Sequence, residues 1–560
     1  MKQLIECVPN ISEGRDPQIY NSIAKSVEAV EGVKLLDVDP GFATNRTVIT
    51  FVGEPQQVIE AALMLIKKSY ELIDMSKHNG EHPRFGATDV CPLVPIANIE
   101  MEEVVKYAHK LGERIGKELN LSGYFYENAA NSDQRKNLAT VRAGEYEGLS
   151  KKLADTNWQP DFGPATFNKK FGCVAVSARD FLIAYNVNLN TTSLRRANSV
   201  AFDVREKGRI KRTENKLTGE IVKDENGNPV WEAGLLKCVK GIAWFIEEYG
   251  IAQVSMNLTN ISITAMHEAF EACRLSANKR GLRVTGSELI GLIPKQAMLD
   301  AGKFYLNQQN RSVGVSETEL IAIAIKSLGL DDLSPFNPKE KIIEFVLEDA
   351  ADKPLVNMPL NVFADLTASE SPAPGGGSIS AYVGALGAAL GSMVGNLSSH
   401  KRGWDDKVEK YGTLAEKAQE AKRDLLNLVD EDTAAFNALM VAFRLKKTSD
   451  EEAKVRKIAI ETATKNATET PFAVMQKTLQ VMDALKTLAE TGLQSSISDI
   501  GVAALCARTA IMGAFLNVKI NAKDIEDQKW ANQKISKGKQ IEQKAIALEN
   551  EILQIVEGKL

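Results

Sequence analysis

A chain of 560 residues, 44% of them hydrophobic, has material for about two to four domains with cores of their own. Its net charge of -5, with Lys and Arg interspersed among Asp and Glu, argues against nucleic acid as a partner. The six cysteines are scattered without a CxxC pair, which fits reduced thiols in a cytoplasmic protein better than a disulfide framework or a zinc site.

In chain order, LIECVPNISEG reads as a strand entering a polar turn. No signal peptide is expected, because Glu6 interrupts the first apolar run. VKLLDVDPG and NRTVITFVG read as two more strands, with a turn at Asp39-Pro40-Gly41. Val58, Ala62, Leu65, Ile66 and Ile73 recur at helical spacing and predict a helix between Gln56 and Met75. HNGEHPRFGATDVCP follows, holding His78 and His82 among five histidines in all. Histidines four apart around a glutamate suggest a zinc helix, but Gly80 weakens a helix interior and Pro83 steers His82 out of the α region. His82 is therefore expected in a turn or extended segment, flanked by Glu81, Arg84 and Asp89. Such an imidazole is either a proton-transfer centre, since its pKa lies near neutrality, or a solvated loop histidine. VCPLVPI, with its prolines, predicts an edge strand, and Met101 to Leu119 an amphipathic helix.

Trp158 to Gly172, rich in Gly, Pro and aromatics, separates this α+β unit from FLIAYNVNLN. There, period-two alternation puts Asn186, Asn188 and Asn190 on one face of a strand, either as hydrogen-bonding groups for a polar ligand or as a solvent-facing surface. Arg205 to Glu232, centred on DENGNP, predicts a hairpin-like surface insertion. Val254, Met256 and Leu258 mark a second half-buried strand, and Thr264 to Arg280 a helix.

The texture changes at Ser334-Pro335-Phe336-Asn337-Pro338. After a strand-like IIEFVL and the polar EDAADKP, nearly everything from Asn361 onward reads as helix. One such helix is expected from Pro471 to Glu490, with Thr470 as its cap. Ser378 to His400 is long enough to span a bilayer but is mostly Ala, Gly and Ser. Gly384, Gly387, Gly391 and Gly395 fall along one helical face, and with no second convincing span a buried helix of a soluble protein is expected, with no membrane as partner. SPAPGGGS places Gly375, Gly376 and Gly377 ahead of Ser378 at the start of that helix. Free amides there can hold an anion or developing oxyanion, although a flexible hinge has the same composition. Leu425, Leu428, Val429, Asp432 and Phe436 share one helical face. Asp432 is thus either carried towards the core, where lack of partners would raise its pKa into a usable range, or a helix-surface acid. Asp430 on the same helix, and Asp499 with Asn517 and Asn521 on a later one, add further polar groups.

ECVPNISEG, LLDVDPG, TNRTVITFVG, HNGEHPRFGATDVCP, RAGEYEGL and PDFGPATF together resemble glutamate formimidoyltransferase. SPAPGGGSISAYVGALGAALGSMVG, LVDEDTAAFNAL and GAFLNVKIN resemble formimidoyltetrahydrofolate cyclodeaminase. In this order the chain resembles the bifunctional formimidoyltransferase-cyclodeaminase family of histidine degradation over nearly its full length. The resemblance implies an α+β sandwich transferase half of two subdomains, residues 1–181 and 182–338, a linker at 339–356, and an all-α helical cyclodeaminase domain at 357–560. It implies transfer of the formimidoyl group from N-formimidoyl-L-glutamate to tetrahydrofolate, then cyclisation to 5,10-methenyltetrahydrofolate with release of ammonia. By the same resemblance His82 is the acid/base of transfer and Asp432 the catalytic carboxylate of cyclisation. Gly163, Pro164, Ala165, Thr166, Phe167 and Gly172 then contact folate, and Gly375, Gly376 and Gly377 are further folate candidates. Arg84 suits a glutamate carboxylate, which a guanidinium can pair bidentately. Asp39 either orients the imidazole or forms a turn, Asn186 and Asn188 are candidates for substrate binding, and Asp430 and Asp499 are secondary acids. Tetrahydrofolate, with or without a polyglutamate tail, is expected as co-substrate, with no metal, and a cytoplasmic homo-oligomer is implied. The rival readings are formyl transfer or methenyltetrahydrofolate hydrolysis on the same fold, and a folate-binding scaffold with one silent half.

Overall fold

The computed structural model describes residues 3–42, 44–80, 83–214, 219–347 and 353–560, so Glu81 and His82 lie outside the described residues. The chain divides into two compact units, Met1–Ala297 with Leu328–Leu347, and Met298–Ser327 with Glu348–Leu560.

The first unit begins with β1 (Leu4–Cys7), β2 (Asn10–Ile11), α1 (Pro17–Lys25), β3 (Val33–Gly41), β4 (Arg46–Gly53), α2 (Pro55–Leu72), β5 (Thr88–Ala97), α3 (Met101–Glu118), β6 (Gly123–Glu127), α4 (Leu138–Val141), α5 (Glu145–Ala154) and β7 (Val174–Ala178). Its strands form one sheet in the order β3, β4, β1 with β2, β5, β7, β6, parallel among the last three and antiparallel elsewhere. Strand alternation sorts the side chains: Ile5, Cys7, Ile49 and Phe51 enter the core with Ile59 and Leu65 of α2, while Glu6, Asn10, Arg46 and Thr50 line a cavity on the other face. Two local expectations fail here. Asp39, Pro40 and Gly41 continue β3 opposite Val48, Thr47 and Arg46, so the turn comes after them. β5 is an interior strand despite its prolines, because β1 and β2 meet it with register breaks and Pro92 serves as an acceptor, its carbonyl bound by Val8 N–H at 3.1 Å.

The unit continues with β8 (Ile183–Leu189), α6 (Leu194–Val204), β9 (Arg209–Ile210), β10 (Trp231–Glu232), β11 (Val239–Ile246), β12 (Ile251–Leu258), α7 (Met266–Asn278) and β13 (Val284–Ile290). A second, antiparallel sheet runs β11, β12, β8, β13. β9 and β10 pair at the base of the expected insertion, whose turn is tied by Asp224 accepting from Asn226 and Asn228 N–H. Next come α8 (Lys295–Gln308), α9 (Glu317–Leu328), α10 (Pro338–Lys341) and α11 (Ile343–Leu347). The strand-like IIEFVL is largely α11, a run too short for its periodicity to separate strand from helix.

The second unit joins residues 298–327 to α12 (Leu360–Thr367), α13 (Gly376–Ser399), α14 (Val408–Arg444), α15 (Asp450–Thr491), α16 (Ile497–Ala522) and α17 (Gln528–Glu557). α13 packs against α14, α15 and α16. Its glycines meet different neighbours, Gly387 facing Ala503 of α16, Gly391 facing Leu485 of α15 and Gly395 facing Ala415 of α14, so the stripe admits three helices and not one. A second helix, Gln494–Ala522, joins α13 in being long and apolar enough to cross a membrane, where the sequence pointed to one such span. Both are half-buried or better inside the bundle.

The expected helix start at Thr470-Pro471 is instead the middle of α15, which begins at Asp450 and is capped by Ser449, whose hydroxyl accepts from Glu452 N–H at 3.2 Å. Pro471 has no N–H to offer the Ala467 carbonyl one turn earlier. Asn521 of α16 supplies the missing donor, its Nδ2 lying 2.7 Å from that oxygen. Asn521→Leu should therefore lower unfolding stability by about 1–3 kcal/mol, the cost of a buried acceptor left unpaired. In a Pro471→Ala background, where residue 471 regains its N–H, denaturant titration should show most of that cost gone; an undiminished cost would contradict the pairing.

Candidate functional site

In the first unit a cavity of about 800 Å³ opens between the polar faces of the two sheets, walled by Glu6, Asn10, Asp39, Arg46, Arg142 and Arg179 on one side and Lys240, Asn257 and Asn260 on the other. Fully buried Asp89 of β5 binds Arg46 and also Arg142, the latter at 2.7 Å. Arg46 Nε donates to Asn10 Oδ1 at 2.9 Å, so two guanidinium groups are fixed on the cavity wall. Glu6 is only 2% exposed. Burial pushes its carboxyl up to about 7, with the Arg179 charge pulling the other way. Burial also raises Asp39, helped by the nearby Asp37 and Glu288 charges and opposed by Lys341. Sequence reasoning did not single out Glu6, Arg46 or Arg142, although all three stand inside quoted motifs.

His82 itself lies outside the described residues, whereas His78 and Arg84 of the same motif are described. His78 Nε2 is 2.9 Å from the Asn45 carbonyl oxygen, and burial lowers the His78 pKa. Arg84 donates to both carboxylate oxygens of Glu147 at 2.6 and 3.0 Å and to Glu145 at 3.5 Å. The guanidinium expected to take a substrate carboxylate is thus engaged by carboxylates of the chain itself. The fold brings the Gly163–Gly172 segment to this stretch: Ala87 N–H donates to the Phe171 carbonyl at 2.7 Å, and Phe167 packs on Tyr146 beside Arg84. Gly163 and Gly172 have φ of +76° and +78°, and a Cβ there would overlap the Leu121 and Phe85 carbonyls. The Pro164 carbonyl accepts from the Ser122 hydroxyl, and Ala165 and Thr166 are exposed. Asn186 and Asn188 do not form a solvent-facing surface: both are buried, they donate to Glu288 and Asp332 at 3.2 and 3.1 Å, and Gln253 donates to Asn188 at 2.9 Å, making a network that runs from the buried amides out to exposed Asp332.

In the second unit, three stretches distant in sequence meet at one end of the bundle. Gly375 is the residue before α13, and Gly376 and Gly377 form its first turn. Asp432 of α14 lies against Gly377 so closely that a Cβ would overlap its carboxylate. The Ser378 hydroxyl lies 3.1 Å from Asp432 Oδ2 and 2.9 Å from the Val429 carbonyl, and Ser378 N–H also donates to Asp432. Asn517 of α16 closes the other side, 3.1 Å from where a Gly376 Cβ would sit. The helix start thus holds an anion, and that anion is the chain's own carboxylate. Burial raises the Asp432 pKa, and the two Ser378 hydrogen bonds hold it down in part.

Asp430 is engaged elsewhere: its two oxygens accept from Leu355 and Val356 N–H at 2.8 and 3.2 Å, anchoring the chain ahead of α12. Asp499 stands in the first turn of α16, about 27 Å along that helix from Asn517, so the structure does not bring it to Asp432. Among the described residues no group of three His, Cys, Asp or Glu side chains is placed to hold a metal ion.

Three family models match in succession: the formiminotransferase domain, N-terminal subdomain, over residues 4–179; the formiminotransferase domain over 184–348; and formiminotransferase-cyclodeaminase over 359–540. The formimidoyltransferase-cyclodeaminase of Gallus gallus is 42% identical over 534 residues, covering 95% of each chain. The chain belongs to the formimidoyltransferase-cyclodeaminase family. Single-activity relatives match its two portions: the glutamate formimidoyltransferase of Thermoplasma acidophilum is 41% identical across 54% of this chain and 92% of its own. The methenyltetrahydrofolate cyclohydrolase of Methylorubrum extorquens is 36% identical across 36% of this chain and 98% of its own. Like others of its family, the chain is an enzyme that joins a transferase portion to a helical lyase portion.

The raised Asp432 has a consequence for stability. A carboxyl whose folded pKa exceeds its unfolded value of about 3.9 binds its proton more tightly when folded, so it costs stability once pH rises above that value. The cost is absent at lower pH and reaches its full size above the folded pKa. Asp432→Asn should therefore raise the melting temperature at pH 7 by more than at about pH 3.5. An equal shift at both, read by calorimetry, would mean that burial does not raise this group.

Proposed function

We propose that the first unit transfers the formimidoyl group of N-formimidoyl-L-glutamate to N5 of tetrahydrofolate, and that the second unit closes the product to 5,10-methenyltetrahydrofolate and ammonia. The observation that carries the reading is Asp432, a carboxyl raised by burial and fixed against the Gly377–Ser378 turn at the meeting point of three helices. In cyclisation N10 attacks the amidine carbon, a five-membered ring forms, and the former imino nitrogen must leave. That nitrogen departs as ammonia only after it is protonated, and a carboxyl whose pKa is raised by burial is suited to deliver the proton. Ser378 acts as a positioning residue, keeping the carboxyl aimed.

For transfer, N5 attacks the amidine carbon and the glutamate nitrogen leaves, so one proton is lost at N5 and one is gained at the leaving nitrogen. His82 takes the first and returns the second, a role supported by the GEHPR motif. The cavity walls fit anionic and hydrogen-bonding ligands: Arg46, Arg142 and Arg179 suit carboxylates, while Glu6 and Asp39 can accept from amidine or pterin N–H groups. Folate contacts from the Gly163–Gly172 segment follow from its seating beside Arg84 and Tyr146. Arg84 can serve a substrate carboxylate by releasing Glu145 while keeping Glu147.

A cytoplasmic homo-oligomer completes the reading. Leu386, Met393 and Leu397 of α13 and Val502, Leu516 and Ile520 of α16 are exposed apolar side chains on neighbouring helices, a surface suited to a second copy of the chain. Hydrolysis of methenyltetrahydrofolate is the second reading for the helical portion, favoured by its likeness to the cyclohydrolase of Methylorubrum extorquens. Ammonia formation from 5-formimidoyltetrahydrofolate separates the two, since a cyclohydrolase releases none. His82→Ala should lower glutamate release by about 10²–10⁴-fold, the range for losing a general acid/base. It should leave ammonia release from supplied 5-formimidoyltetrahydrofolate unchanged; loss of both in a folded variant would overturn the separate-site reading.

A further inference from the structure

A second cavity, of about 600 Å³, lies on the far side of the second sheet, between α6, β11 and the base of the Arg205–Glu232 insertion. Its lining includes Arg195, Arg205, Arg209 and Arg212 with the rings of Phe202 and Trp231, and it includes no carboxylate. Among the described residues only Arg209 of these four is in an ion pair, with Asp203, which also binds Arg280. Among the described residues Arg205 spends Nε and one terminal nitrogen on the Gly208 and Gly241 carbonyls, and Arg212 one nitrogen on the Gly219 carbonyl, so both have further N–H groups without a partner there. Arg195 is exposed and forms no ion pair among the described residues. Trp231 is 44% exposed, with the Lys207 ammonium 4.4 Å from its ring centre. Asn198 uses its Oδ1 on Ala243 N–H, so its amide N–H₂ remains a donor.

Four guanidinium groups gathered around one carboxylate partner in a concave site are suited to a polyanion, because their planar forks bind phosphate oxygens in pairs. An exposed indole beside them adds a flat apolar surface on which a base can stack. The volume falls in the range of small-ligand pockets. We propose that this pocket, apart from both proposed active sites, binds a nucleoside phosphate, with the phosphates on Arg195 and Arg212 and the base on Trp231.

The full-length chain titrated with ADP by calorimetry tests this, with pyrophosphate and adenosine as separate arms. ADP should bind more tightly than either fragment, and Arg195→Glu combined with Arg212→Glu should weaken it by about tenfold or more. Trp231→Ala should weaken it by about 5- to 150-fold, the equivalent of losing 1–3 kcal/mol of stacking. All three positions lie outside the proposed catalytic machinery, so glutamate and ammonia release without ADP should stay at the unmodified rate, which checks folding. Absence of ADP binding at about millimolar concentration would overturn the proposal. So would ADP binding untouched by the double charge reversal, or a pyrophosphate affinity equal to that of ADP.

Discussion

A carboxylate taken out of water must be given other donors or it keeps its proton, and the placing of Asp432 rests on that constraint. The donors are the backbone N–H and hydroxyl of Ser378 in the first turn of α13, and they reach the carboxylate because Gly377 has no Cβ to keep it away. That approach in turn requires α13 and α14 to run close together, which Gly395 allows further along by admitting Ala415. The same carboxyl is only partly compensated, so its pKa stays raised and the group remains an acid. Asp430, two residues earlier, shows the alternative outcome: two backbone donors take it up, and it becomes an anchor for the segment before α12.

The first unit repeats this division between satisfied and unsatisfied charge. Asp89 is fully buried between Arg46 and Arg142, and that triad fixes two cations on the cavity wall. Glu6 and Asp39 face the same cavity with burial only partly offset, by Arg179 and Lys341 respectively, and both carboxyls are raised. Paired charges give the wall its geometry, and the under-paired ones keep protons available there. Groups of the second kind weaken the folded state near neutral pH and are the ones whose protons can move.

Much of this was legible in the sequence because the deciding signals were local. Alternation in LIECV and TVITFV sorted core from cavity side chains, and the glycine run before Ser378 marked a helix start with free amides. What sequence reasoning missed depended on partners far along the chain. Prolines in VCPLVPI pointed to an edge, yet β5 is interior because β1 and β2 approach it with register breaks. Pro471 pointed to a helix start, yet Asn521, fifty residues on, supplies the donor that lets α15 continue. Arg84 had the right chemistry for a substrate carboxylate, but Glu147 claims it in this structure. Asp430 and Asp432 stand about 200° apart around one helix, and both adjoin apolar residues, so periodicity alone could not assign their separate roles.

The central claim is that Asp432 supplies the proton on which ammonia leaves, in a site separate from transfer. The direct measurement is a single-turnover mixture of tetrahydrofolate and N-formimidoyl-L-glutamate with Asp432→Asn, reading glutamate, ammonia and methenyl absorbance together. Asparagine keeps the shape and loses the acid, so glutamate should appear at the unmodified rate while 5-formimidoyltetrahydrofolate accumulates and ammonia slows by about 10²–10⁴-fold. Ammonia released at the unmodified rate, or glutamate release falling in parallel with it in a folded variant, would contradict the account.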